Sequence, residues 1–525
     1  MHCTCVRHAD LPGTSRIFSD LVSHFDRVAD LYPFPTNDLG AIRRASAFDF
    51  PAGRRAAAVT ALRSLNAGNP ALDRLAADGT VAIITGQQTG LFSGPVYTIY
   101  KALTAIRIAR ELTESGVEAV PMFWLATEDH DFAEVDHSFA FGADHRSVRL
   151  QLEAEGGEGP LPVGNRVIRR APVAELRAAL HGLPFVDEVV DLAARTYAPG
   201  MTLGQSFTAL LRELLAPWGM LFIDPMEPAM RALAGPLLSK AVGQMPGLVQ
   251  GVRQRTAELV RRGYHAQVLV EESTSLVFAL RGGERIALRR AADGFTGGGR
   301  RWSAEELAED GAALSPNALL RPVVQDYMFP TAAYVGGAAE LAYLAQSGAL
   351  YEELLGRRPV AFPRAGFTVV DERAAKRMGK YRLVPTDLFR PEREFREMLA
   401  GRLVPGSLRS RLEATQGTVA GALDALDREL AGFDLSQSKG LKTSRRKIEY
   451  QMGKIARKAS MQILAKDAEA ERDAATLSGL AFPHGHLQER SYSVLPFLAQ
   501  FGMGFVGDVL GAVRVECPDH QFGVV

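Results

Sequence analysis

Two short apolar runs, each ending abruptly in polar residues, set the pattern of the chain. Residues 81–84 (Val-Ala-Ile-Ile) run into Thr85-Gly86, which predicts a buried strand emptying into a tight turn. A polar, glycine-spaced loop follows over residues 86–95; Ser93 or Gly94 can cap the next helix, with Pro95 in its first turn. Val96, Ile99, Leu103 and Ile106 recur at three and four residues, so one face of that helix is apolar, and Gly116 stops it. The second run, residues 119–126, ends in Thr127-Glu128-Asp129-His130-Asp131. Strand, loop, helix and strand form a crossover unit whose two strands are parallel and share a carboxyl edge.

The same reading extends along the chain. Residues 1–75 read as helical, with an irregular loop at Tyr32-Pro33-Phe34-Pro35 and an alanine-rich helix over 54–67. A strand over 147–152 precedes a polar, glycine-rich passage at 153–164, an exposed loop or the start of an inserted segment. Residues 171–217 read as helices, and 220–225 as a strand whose terminal acid, Asp224, marks a second carboxyl end and so a doubly wound sheet. One helix is expected over 236–262. An antiparallel pair (267–270 with 275–280), a further strand after Gly282-Gly283, a flexible loop at 294–299 and a capping box at Ser303 and Glu306 follow. Residues 321–327 read as a strand, Tyr334-Val335-Gly336-Gly337 as a turn before a helix containing Glu340 and Tyr343, and 359–362 as the last core strand, ending in Pro363-Arg364.

From about residue 391 to 472 the texture becomes charge-rich helix. Leu408, Leu412, Thr415, Val419, Ala422, Leu426, Leu430 and Phe433 are spaced by fours and threes, and Leu441, Ile448, Met452, Ile455 and Ala459 repeat the pattern after Gly432-Phe433-Asp434. An antiparallel helical hairpin or coiled coil results, its seam short enough to favour self-association or docking on the core. Residues 477–525 lose the heptad and regain apolar runs, as a segment folding back on the core would.

Composition narrows the class. The 525 residues are 47% hydrophobic and 23% charged, with 60 Lys+Arg against 60 Asp+Glu, a balance that suits a soluble globular protein and not a generic polyanion binder. The return helix is locally basic, with Lys439, Lys442, Arg445, Arg446, Lys447, Lys454, Arg457 and Lys458 against Glu449. A solvated coiled-coil flank or a neighbour of nucleotide phosphate outranks nucleic acid there. Cys3, Cys5 and Cys517 make no disulfide framework and fit a reducing cytoplasm. Cys3-Thr4-Cys5 between His2 and His8 sits on a terminus expected to fray, so no metal site is assigned. No basic-then-apolar leader and no membrane-length apolar run is present, so the expected protein is neither secreted nor embedded.

The carboxyl edge of the crossover is the candidate site. Free N–H groups at a helix start, reached through a loop with few Cβ atoms, suit a phosphate or carboxylate. The second strand delivers Glu128, Asp129, His130 and Asp131 to the same edge. Asp131 with Glu134 also matches a capping box, but four ionisable groups in succession exceed what a cap requires. Gly336-Gly337, at another helix start, permits either close substrate approach or only tight packing. No G-x-x-x-x-G-K-[ST] phosphate loop occurs.

The stretches GQQTGLFSGPVYTIYK and PMFWLATEDHDFAEVDH, with SPNALLRPVVQDYMFPTAAYVGGAAELAY from Ser315, GYHAQV from Gly263 and LQERSYSVLPFLAQFG from Leu487, resemble the signature of the bacillithiol-biosynthesis cysteine-adding enzymes, the BshC family of cysteine ligases. The resemblance covers nearly the whole chain. It implies an α/β fold: a Rossmann-like, doubly wound parallel sheet with inserted connecting segments (residues 1–385), an antiparallel coiled-coil arm (386–475) that makes a homodimer, and a C-terminal segment on the core (476–525). It further implies addition of cysteine to the amine of glucosaminyl-malate, the last step to bacillithiol.

An amide made from a free acid in water is uphill, so the carboxyl would be activated as an adenylate or acyl phosphate. An adenine nucleotide, ATP or ADP, is the expected cofactor, and the residues do not specify a metal. Gln87, Gln88, Glu128, Asp129, His130 and Asp131 are then the catalytic candidates. Thr85, Gly86, Gly90, Ser93, Gly94, Arg321, Gln325, Asp326, Tyr334, Gly336, Gly337 and Glu340 are the candidates for gripping substrate, and Arg364, Gln488, Glu489 and Arg490 for the nucleotide. Class I aminoacyl-tRNA synthetases share this kind of core, but their paired histidines are replaced here by Gln87-Gln88, and His484-Gly485-His486 follows no strand. Lys376-Arg377-Met378-Gly379-Lys380 is only superficially similar to their lysine loop and reads as a solvated basic turn. The rival readings are a nucleotide- or sugar-binding module that recruits a partner through its arm, and a nucleotidyltransferase acting on another small molecule.

Overall fold

In a computed structural model of the chain the structure describes residues 1–155, 160–433 and 435–525. Part of the expected glycine-rich loop (156–159) and the break at Asp434 lie outside the described residues, as does the Phe433 side chain.

The crossover unit lies at the centre of a five-stranded sheet in the order Val360–Pro363, Thr331–Gly336, Val81–Gln88, Ala119–Ala126, Leu221–Ile223, every neighbouring pair parallel. The Val81–Gln88 strand runs four residues further than its apolar run. Gly86 explains the extension: a Cβ there would lie 2.8 Å from the Trp124 carbonyl oxygen, so only glycine lets the two backbones stay in register. The ladder continues through Gly86↔Trp124, Gln87↔Leu125 and Gln88↔Ala126, which places both glutamines on the strand instead of in a loop.

After a 3₁₀ turn at Leu91–Ser93, in which Phe92 and Ser93 adopt φ of 52° and 75°, the helix Tyr97–Glu114 begins. Its N-cap is Val96, whose N–H is taken by the Tyr492 carbonyl; Ser93 bonds the Gly94 carbonyl and caps nothing. The helix is buried on far more than one face, Tyr100, Lys101 and Leu112 being as covered as Ile99, Leu103 and Ile106.

Several expectations are corrected. Residues 321–327 form the helix Arg321–Met328, because the Asn317 side chain accepts from the Leu319 and Leu320 N–H groups and Pro322 suits a first turn. Tyr334 and Gly336 belong to a strand, not a turn. Residues 267–270 form no strand; Gln267 and Val268 donate instead to Gln346 Oε1. Residues 294–299 are no flexible loop. They begin a hairpin, Gly294–Gly297 with Arg300–Trp302, in a second, antiparallel sheet built on Thr274–Arg281 and Glu284–Ala291 and closed by Leu314–Pro316. The helix expected over 236–262 is two, Pro228–Gly243 and Met245–Arg261. Nor is the N-terminus helical or frayed, since His2–Val6 pairs antiparallel with His520–Val524, and Cys5 Sγ lies 3.6 Å from Cys517 Sγ.

By its contacts the chain divides into two units, residues 1–143, 147–369 and 488–525 forming one, and 144–146 with 370–487 the other. The second is helical, dominated by Gly406–Phe433 packed on Leu435–Lys466. Half of the described heptad seam is open: Leu408, Thr415, Ala422, Leu426, Ile448 and Ile455 are exposed. The expected basic turn at 376–380 lies in the helix Glu372–Lys380, where Arg377 and Lys380 pair with Asp473. No single helix among the described residues is long and apolar enough to cross a membrane.

Candidate active site

At the carboxyl edge of the parallel sheet a cavity of about 500 Å³ opens, where open α/β sheets receive ligands. The strand ends supply Gln87, Gln88 and Tyr334, and the loops beyond them supply Glu128, Asp129, Gly337 and Arg364.

Lys101, from the buried helix, stands under the floor with a side chain 3% exposed. Its Nζ donates to the Gly86 carbonyl (2.9 Å) and Gln87 Oε1 (2.8 Å) and pairs with Glu340 Oε2 at 2.5 Å. Burial pushes the Lys101 ammonium below its ordinary value, and Glu340 resists that. For Glu340 burial works upward, but Lys101, the Gly337 N–H (2.8 Å) and the Tyr334 hydroxyl (2.7 Å) outweigh it, and the carboxyl falls below its usual range. Tyr334 Oη also accepts from Arg321 (3.0 Å), whose guanidinium has no carboxylate at ion-pair distance among the described residues.

The acidic wall is cross-linked by hydrogen bonds. Gln88 Nε2 donates to Asp129 Oδ2 (2.6 Å) and Glu134 Oε2 (2.8 Å). Glu128 accepts from Ser315 Oγ at 2.7 Å, which in turn accepts from Arg285 Nε at 3.0 Å. Arg285 lies over the Phe278 ring, 3.7 Å from Asp129 and 3.1 Å from His130 Nδ1.

The opposite wall is cationic. Arg364 and Arg490 flank the Tyr97 ring, their guanidinium carbons 5.2 and 5.9 Å from its centre. Glu489 grips Arg364 through both oxygens and accepts the Phe367 N–H. Burial works to raise the Glu489 carboxyl, yet the Arg364 charge and hydrogen bond bring it down to about 2. Two guanidinia beside an aromatic ring form a donor set that fits the phosphates of an adenine nucleotide.

Of the residues singled out in the sequence, Gly86, Gln87, Gln88, Glu128, Asp129, Arg321, Tyr334, Gly337, Glu340, Arg364 and Arg490 meet in this cavity. The others do not line it. Thr85 is turned to the Val335 carbonyl. Gly90, Ser93 and Gly94 form a packed turn, Tyr197 Oη donating to the Gly90 carbonyl and accepting from Ser93 N–H, so no anion cradle is left there. His130 is drawn aside against Phe278 and Arg285, and Asp131 is exposed, closing a turn with Glu134 N–H. Gln325 braces Arg321, and Asp326 is buried against Tyr351; burial keeps the Asp326 carboxyl above its ordinary range. Gly336 pairs within the sheet, and Gln488 bonds the Val369 backbone in both directions. Glu489 stands behind Arg364.

Sequence reasoning missed Lys101, Tyr97, Trp124, Phe278 and Arg285 as cavity residues. A lysine interrupting an apolar helical repeat was the available signal for the first. Arg285 is placed by an antiparallel strand remote in sequence, and nothing local marks it.

Residues 1–365 match the family described as "Bacillithiol biosynthesis BshC, N-terminal Rossmann-like domain", and residues 367–523 match "Bacillithiol biosynthesis BshC, C-terminal coiled-coil domain". A protein of Solibacter usitatus named "Putative cysteine ligase BshC" is 50% identical over 100% of both chains. Proteins of the same name from Koribacter versatilis (32% identical over 98% of each chain) and Salinibacter ruber (30%, over 96% of this chain and 95% of the relative) are also similar.

Proposed function

The chain belongs to the BshC family, and from that premise we propose that it joins the carboxyl of L-cysteine to the amine of glucosaminyl-malate, completing bacillithiol. The observation that carries this reading is the polarity of a single cavity, with acids on one wall (Glu128, Asp129) and guanidinia on the other (Arg364, Arg490). An amine enters as an ammonium and must lose a proton before it can attack, and Asp129 is oriented by Gln88 to take it. Carboxylates are drawn to the cationic wall and to Arg321, which has no carboxylate at ion-pair distance among the described residues.

Arg364 and Arg490 would hold the phosphates of an adenine nucleotide, which when bound would supply the leaving group that makes the cysteine carboxyl reactive. The half-open heptad seam favours a homodimer formed through the helical pair. Replacing exposed Ile455 by Lys should then shift sedimentation toward the monomer. A free-thiol product suits a reducing cytoplasm.

The test is direct. Purified full-length chain given L-cysteine, ATP and glucosaminyl-malate should yield bacillithiol by mass spectrometry, and Asp129→Asn should slow turnover about 10²–10⁴-fold, as loss of a general base does. Folded wild-type chain that forms no product would overturn the reading.

A further inference from the structure

We propose that Lys101 is a positioning residue that sets opposite polarities on two adjacent glutamines, so that Gln87 offers an N–H to the acyl oxygen and Gln88 offers a C=O to the amine. The proposal rests on the ligase reading and adds to it which end of the cavity takes which reactant.

A primary amide has one accepting and one donating end, and its neighbours decide which end faces a ligand. Lys101 has its three protons directed at three acceptors, the Gly86 carbonyl, Gln87 Oε1 and Glu340 Oε2. It is therefore an ammonium with nothing to accept. Were the Gln87 amide reversed, its N–H groups would face those of Lys101. The oxygen must point at Lys101. Gln87 Nε2, 3.3 Å from Tyr97 Oη, then keeps a second N–H for the cavity.

Gln88 is held the other way. Both of its amide N–H groups are taken by carboxylates, Asp129 Oδ2 and Glu134 Oε2, so Oε1 is the end that remains for a ligand. The wider charge pattern agrees: Tyr97, Arg364 and Arg490 stand on the Gln87 side and Asp129 and Glu134 on the Gln88 side, while the two lining charges of opposite sign are tied up by other groups, Glu340 by Lys101 and Arg285 by Ser315 and the Pro316 carbonyl. As the amine nitrogen attacks, the C–N bond forms and negative charge grows on the former carboxyl oxygen, where the Gln87 N–H stabilises it. The leaving group departs with its electron pair. The nitrogen, whose first proton Asp129 took before the attack, releases its second to water, while Gln88 Oε1 holds the N–H that remains.

Gln87→Glu removes the N–H while keeping the volume and the contact with Lys101. By calorimetry on the full chain, L-cysteine should bind at least about tenfold more weakly, whereas cysteamine, which lacks the carboxylate, should bind within about threefold of wild type. In turnover, kcat should fall about 10²–10³-fold with KM for glucosaminyl-malate unchanged. Lys101→Met should reproduce that split, and combining it with Gln87→Leu should cost no more than either change alone, because both remove one function.

Equal weakening of cysteine and cysteamine by Gln87→Glu, or additive losses in the double variant, would overturn the proposal. If Lys101→Met does not fold, the Gln87→Glu comparison decides. A wild-type chain that binds cysteine but makes no amide defeats the ligase reading alone, since the calorimetry still judges the polarity.

Discussion

Oppositely charged side chains pair in both units of the molecule, and what surrounds the pairs differs. Around the cavity, the side chains of Lys101, Arg364 and Glu489 are 3%, 9% and 4% exposed. In the long helical pair, Arg445 reaches across to Asp424 with the two side chains 30% and 61% exposed. Buried charges depend on their partners, because water cannot replace a lost one, whereas exposed charges are already solvated. Charge density along the sequence is higher in the helical pair. The consequences are concentrated in the cavity.

The largest expected effect comes from removing a buried partner. Glu489→Ala leaves the largely buried Arg364 without its carboxylate and should destabilise the sheet-containing unit by about 3–5 kcal/mol in urea unfolding. A loss below about 1 kcal/mol would erase the contrast with the helical pair.

A second measurement uses pH. His520 lies against Thr368 (2.9 Å), with Glu489, Arg364 and His8 as its charged neighbours, and burial pushes it down to about 4 from 6.5. Between those two values the unfolded chain binds a proton that the folded chain refuses. The stability from neutral His520 is therefore complete above pH 6.5 and lost as pH falls through about 4, on the order of 3 kcal/mol. His8, also pushed down by burial, adds to the same slope. Glu489, held at about 2 against an ordinary 4.5, keeps its contribution above pH 4.5 and loses it as pH falls from there through about 2, so it adds to the slope only at the acid end of the window. Thermal unfolding from pH 7 to 4 should show the slope, and His520→Asn should flatten it; an unchanged slope would assign the acid sensitivity elsewhere.

The smallest effect is expected in the helical pair. Arg445→Ala should cost less than about 1 kcal/mol at low ionic strength and nothing measurable in 1 M salt, where the screening length is about 3 Å. A larger, salt-resistant loss would show that the arm is stabilised as the cavity is.

How far the site was legible follows the same division. Gln87, Gln88, Glu128 and Asp129 could be read because they sit at the ends of two apolar runs, and a parallel crossover brings such ends to one edge. Gly90, Ser93 and Gly94 misled: in sequence they resemble an anion-binding turn, but Tyr197, more than a hundred residues away, fills the turn's hydrogen-bonding groups. The strand expected at 321–327 failed for a related reason, since the competing signal, the turn that Asn317 closes just before the helix, lies outside the apolar window.

By itself the sequence determined the parallel crossover at the heart of the sheet, the heptad helices and the edge on which a ligand would sit. Those features arise from the period of apolar positions, which acts between residues a few places apart. Only the tertiary structure decided that Lys101 lies under the floor, that Arg285 braces the acidic wall, that Glu489 holds Arg364, and that His2–Val6 and His520–Val524 close into one sheet. Each of these joins segments distant along the chain. Whether a polar group faces a ligand or another side chain depends on which partner reaches it first when the core packs, and local spacing carries no record of that.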